Sequence, residues 1–79
     1  MKPQVIQAVI DAFGTSEVED HLEERGGRVY GSVAVSNSSV FDDLDDTRRQ
    51  RLFWQHLIRL LGRRAADVGP VVLESAPHG

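Results

Sequence analysis

Seventy-nine residues, a formal net charge of −3 and no cysteine point to one small domain, which on folding buries only about 60% of the surface its unfolded chain exposes. Without cysteine there is no disulfide and no thiolate ligation of a metal or iron–sulfur cluster, so a compact helix-on-sheet layer must provide the stability. The acidic balance works against nonspecific attraction to phosphate or anionic lipid, and no stretch approaches the roughly 20 apolar residues that span a bilayer, so a single soluble, cytoplasmic domain over residues 1–79 with no membrane contact is expected.

Pro3 suits the first turn of a helix, and Val5, Ile6, Val9, Ile10 and Phe13 recur at three- and four-residue spacing. Gly14 follows as the C-cap, because glycine enters the left-handed region without a Cβ penalty, so the first helix is predicted over residues 3–13. Val18, Asp20 and Leu22 then share one side of an extended segment while Glu17, Glu19 and His21 share the other, the pattern of a half-buried edge strand. Gly26-Gly27 offers a tight hairpin turn. Beyond it Val29, Gly31, Val33 and Val35 alternate with Tyr30, Ser32 and Ala34, so both faces are apolar or small and the second strand belongs in the centre of the sheet.

Ser36-Asn37-Ser38-Ser39 has the composition of a loop, and the acidic cluster Asp42, Asp43, Asp45 and Asp46 precedes a long helix predicted over residues 47–64, with Gly62 able to end it a turn earlier. Asp67-Val68-Gly69-Pro70 reads as a connection. Val71-Val72-Leu73 reads as a short buried strand closed by Pro77. A strand–helix–strand passage of this length suits a parallel crossover. The fold class is therefore α+β, an αββαβ chain with two helices on one face of a three-stranded mixed sheet. Type II KH domains share related elements, so topology alone does not name a function.

At about 100° per residue, Phe53, Trp54, Leu57, Leu60 and Leu61 form the apolar face of the long helix, with Ile58 at its margin. Trp54 is read as core in preference to a stacking platform. The opposite face is basic: Arg48, Arg51, Arg59 and Arg63 fall close together, with Arg49 and His56 beside them. Such a row serves as a solvated face that complements the helix dipole, or as a docking surface for an acidic partner protein. Nucleic acid is disfavoured because four aspartates stand beside the helix start, and because the adjacent glycines Gly26-Gly27 sit in a hairpin and not in a Gly-x-x-Gly clamp. The aspartates lack the spacing of a calcium loop and are read as stabilising the helix start. His21, His56 and His78 show no metal-ligand spacing, no serine has a base or a glycine elbow nearby, and no carboxylate pair sits in apolar surroundings. Neither a cofactor nor an enzymatic activity is expected.

The spacing of Phe41 and Leu44 ahead of Arg49-Gln50-Arg51-Leu52-Phe53 resembles the segment entering the main helix of BolA-like proteins. The resemblance also takes in the hairpin ending at Val35-Ser36 and the final strand leading to Pro77, but it is specific in the central block alone. It implies a small αββαβ domain, and a regulator or iron–sulfur assembly partner acting with a monothiol glutaredoxin. Phe41, Leu44, Arg48, Arg49, Gln50 and Arg51 would then belong to the partner-binding surface, together with the second hairpin strand. Members typically carry Arg-His-Arg where this chain has Arg49-Gln50-Arg51, and that histidine is associated with coordinating a 2Fe–2S cluster shared with the glutaredoxin. A carboxamide is a poor ligand for iron where an imidazole nitrogen is a good one. A second ligand often stands in the loop between the first two strands, which here is Glu24-Arg25-Gly26-Gly27 and holds neither His nor Cys. The implied protein is an adaptor without direct cluster ligation, a monomer or weak dimer, whose Gln50 amide needs partners at the apolar side of the helix start. The other readings are a KH-like nucleic-acid-binding regulator and a plain interaction module.

Overall fold

A computed structural model describes residues 1–76 of the chain. The elements run α1 (Lys2–Phe13), β1 (Val18–Arg25), β2 (Arg28–Val35), α2 (Ser39–Asp43), α3 (Asp46–Leu61), a 3-10 helix (Gly62–Asp67) and β3 (Val68–Ser75). The sheet order is β1-β2-β3, with β1 antiparallel and β3 parallel to the central β2. The mixed three-stranded sheet and the central place of the second strand are as expected from its two small-or-apolar faces.

One face of that sheet is core. Leu22, Val29, Val33, Val35, Val71 and Leu73 are buried on it against Val5, Ala8, Val9, Ala12 and Phe13 of α1 and Phe53 and Leu57 of α3. Their periodicities of two and of three-to-four residues are what place these side chains on one side of each element. Asp20 shares the inward side of β1 and is accommodated at its margin by Lys2, 3.3 Å away on the first turn of α1. The other face of the sheet, which carries Glu19, His21, Glu23, Tyr30, Val72 and Glu74, has no helix over it among the described residues.

Turn chemistry follows the residue types. Gly14 caps α1 at φ 64°, and Gly26 and Gly27 both take positive φ (57° and 75°), as a type I′ hairpin turn demands. Asp45 caps α3, its carboxylate accepting the Arg48 amide at 2.9 Å, which bears out a helix-start role for that member of the acidic run.

Four expectations are corrected. The segment after Asn37 is not loop up to the long helix: Ser39–Asp43 forms the short α2, because the buried Ser38 hydroxyl accepts the Phe41 amide and donates to the Phe13 carbonyl at the end of α1. The long helix does not reach Arg64 but takes the earlier stop that Gly62 offered, ending at Leu61 with Gly62 at φ 57° turning the chain into the 3-10 segment, so Arg63 and Arg64 leave the helix. Leu60, assigned to the apolar face, is exposed at that end, and Trp54 is half-buried against the core. The last strand begins at Val68, three residues early, because a register shift between Val29 and Gly31 fits Gly69-Pro70 into the ladder and returns Val71 to the core side. A bulge of this kind tolerates a proline, which has no amide to donate. The closing role of Pro77 lies outside the described residues, as does His78.

Candidate partner-binding surface at the start of the long helix

Six residues were singled out between Phe41 and Arg51, and the fold separates them by depth. Phe41 is 1% exposed, its ring edge-on to Phe13 at 4.9 Å between centroids. Arg49 lies over that ring, its guanidinium 3.9 Å from the centroid, while its Nε donates to the Phe41 carbonyl at 2.8 Å. The stack Phe13–Phe41–Arg49 thus joins α1, α2 and α3 through one aromatic ring. Leu44, half-buried, packs against the core beside it, its amide donating to the same Phe41 carbonyl at 3.3 Å. Arg48 and Arg51 are exposed.

Gln50 is engaged at both ends of its amide. Its Nε2 donates to the Val71 carbonyl of β3 at 2.8 Å, and its Oε1 accepts the Trp54 indole N–H at 3.2 Å. The side chain therefore ties α3 to an edge strand and orients the tryptophan one turn further along. Both polar atoms of the amide thus have a partner within the domain, as the helix-start reading required.

What reaches solvent here is charge. Arg48, Arg51 and Arg59 are exposed on α3, and among the described residues no arginine forms a salt bridge. Residues 46–67 hold six of the eight arginines against two aspartates in a chain that is acidic overall. The exposed carboxylates of Asp42, Asp43, Asp45 and Asp46 border this basic surface at the entrance to α3. Down the helix, Trp54, Ile58, Gly62, Ala65 and Ala66 line an apolar groove of about 400 Å³ with Arg63 at its side, and Ile58 is 55% exposed.

The histidines stand apart. His21 is exposed on β1, 3.7 Å from Glu19, and His56 Nδ1 donates to the Leu52 carbonyl at 3.0 Å in its own helix. Among the described residues no three His, Cys, Asp or Glu side chains are grouped to hold a metal ion, and no helix is long and apolar enough to cross a membrane.

Two site relationships lay beyond the sequence reading. The Gln50–Trp54 pair has the four-residue spacing at which helical side chains meet, so that contact had a local signal. The Arg49–Phe41 stack had none, because it depends on the unforeseen α2 turning Phe41 inward. No protein-family model, curated protein or solved structure matches this chain.

Proposed function

We propose that the chain is a non-enzymatic adaptor domain of the BolA-like kind, which docks a protein partner through the start of α3 and leaves iron–sulfur ligation to others. The observation that carries this reading is the division of labour between adjacent residues: Arg49 and Gln50 are bound internally, whereas Arg48 and Arg51 are exposed and, among the described residues, lack a carboxylate partner. Internal bonds at Arg49 and Gln50 hold the helix start against β3 and α2, so the neighbouring guanidinium groups are presented from a fixed backbone, which lowers the ordering cost of association. A guanidinium pair in that setting suits a carboxylate-bearing protein surface, by bidentate hydrogen bonds.

A monothiol glutaredoxin is the partner class that the resemblance names. With Gln50 in place of an imidazole, and with Glu24-Arg25-Gly26-Gly27 between the strands, this chain offers no nitrogen ligand at either position. The partnership would therefore be made of protein contacts alone. The test is a titration of the 15N-labelled chain with a monothiol glutaredoxin, followed by amide shifts and by the visible spectrum of the cluster-loaded partner. Saturable shifts at Leu44, Arg48 and Arg51 with an unchanged visible spectrum support the reading. Absence of shifts counts against this partner, and salt-sensitive binding of an oligonucleotide through the same amides would favour the KH-like alternative.

A further inference from the structure

We propose that the helix-free face of the sheet holds a binding cleft for a small amphipathic carboxylate, its flat apolar body against Tyr30, Pro70 and Val72 and its charged end between Arg25 and Arg28. This site lies on the side of the sheet turned away from the core and does not depend on the adaptor reading.

A cleft of about 550 Å³ is lined by Arg25, Arg28, Tyr30, Gly31, Gly69, Pro70 and Val72, a volume in the range of small-molecule sites. Its shape is written into the backbone. Gly31 takes φ 137°, a conformation essentially confined to glycine, and a Cβ there would come within 2.2 Å of the His21 carbonyl oxygen. Gly69, in the bulged part of β3, would place a Cβ 3.2 Å from that of Tyr30. Gly31 thus lets the β1 and β2 backbones close up beneath the cleft, while Gly69 leaves its floor bare beside Tyr30, with Pro70 and Val72 also lining it. Val72 is 56% exposed, a large apolar side chain left in water in the same cleft as the Tyr30 ring.

The charges at the hairpin end select the ligand. Arg25 and Arg28 are direct cross-strand partners, the last pair of the β1–β2 ladder. Like charges held opposite one another are destabilising, and among the described residues neither guanidinium has a carboxylate in salt-bridge contact. Glu23 shares this face, directly across from Tyr30. Tyr30 lines the cleft beside Pro70 and Val72 and offers an apolar ring to an occupant. An anion between Arg25 and Arg28 relieves their repulsion, and a carboxylate matches the fork of a guanidinium. The uncharged floor and walls require the remainder of the molecule to be apolar.

The probe is 2-naphthoate, titrated into the 15N-labelled chain, with neutral 2-naphthalenemethanol and inorganic phosphate as controls. Saturable shifts at Arg28, Gly31 and Gly69 with a dissociation constant of about 1 mM, the scale for so small a ligand, are expected from naphthoate alone. Arg25→Gln with Arg28→Gln should weaken binding at least tenfold by removing charge-assisted hydrogen bonds. Val72→Glu, at an exposed position that folding tolerates, should do the same by filling the wall with charge. Equal binding of the neutral alcohol, phosphate binding as well as naphthoate, shifts confined to the Trp54–Ile58 groove, or shifts in this face that follow protein concentration without any ligand would each overturn the proposal.

Discussion

Gln50 and Val71, 21 residues apart, are joined by a 2.8 Å hydrogen bond from the Gln50 amide to the Val71 carbonyl, and the same amide accepts the indole N–H of Trp54. This residue, which the sequence resemblance marks as a lost ligand, therefore has a structural occupation in this chain. Gln50→Ala strands a carbonyl and an indole N–H and is expected to destabilise the domain by about 1–2 kcal/mol. In a chain of this size each kcal/mol lowers the melting temperature by roughly 4–8 °C. A urea midpoint unchanged by Gln50→Ala would show that water replaces both bonds without loss.

The arginines of the helix start should separate into two classes. Arg49→Ala removes both the guanidinium over the Phe41 ring and the bond to the Phe41 carbonyl, at about 1–2 kcal/mol. Arg48→Ala and Arg51→Ala, at exposed positions with no ion pair among the described residues, should stay within about 0.5 kcal/mol and show their effect in partner binding instead. Equal destabilisation by all three would erase the distinction between brace and contact.

Much of this architecture was legible in the chain. The stripe from Val5 to Phe13, the alternation of β2 and the Gly26-Gly27 turn are local patterns, and each appears where periodicity and turn chemistry placed it. The misreadings share a cause: the deciding partner is distant in sequence. α2 depends on Ser38 reaching back to the Phe13 carbonyl, and the early start of β3 depends on a bulge that lets Gly69-Pro70 stay in the ladder with β2. Of the site, the exposure of Arg48 and Arg51 and the satisfaction of Gln50 followed from helical geometry, while the inward turn of Phe41 did not.

Backbone conformation separates two of the glycines. Gly31→Ala must accept φ 137° and a clash with the His21 carbonyl, so a loss of roughly 2–3 kcal/mol is expected. Gly14→Ala meets nothing within 4 Å and carries only the left-handed penalty at φ 64°, about 1 kcal/mol. Chemical denaturation of the two variants side by side should give that order, and the reverse order would mean that β2 relaxes locally at Gly31.

The single tyrosine provides a pH readout of the open sheet face. The hydrogen bond to the Glu23 carboxylate, then desolvation and that carboxylate's negative charge, raise the Tyr30 pKa above its ordinary 10.0. Because the fold favours the neutral phenol, the contribution of this contact is complete below pH 10 and is lost as the pH rises through the higher folded value. An absorbance titration should place the midpoint above 10, with Glu23→Gln returning it toward the ordinary value. A midpoint at or below 10 in the native chain would mean that the Glu23 contact does not form.

The most direct measurement mixes the chain with a cluster-loaded monothiol glutaredoxin and follows visible circular dichroism, in parallel for the native sequence and for Gln50→His. With an amide locked onto Val71 and Trp54, the native chain is expected to leave the cluster spectrum unchanged while the amides of Arg48 and Arg51 report binding. A shifted cluster spectrum from the native chain, matching that of the Gln50→His variant, would contradict docking without ligation.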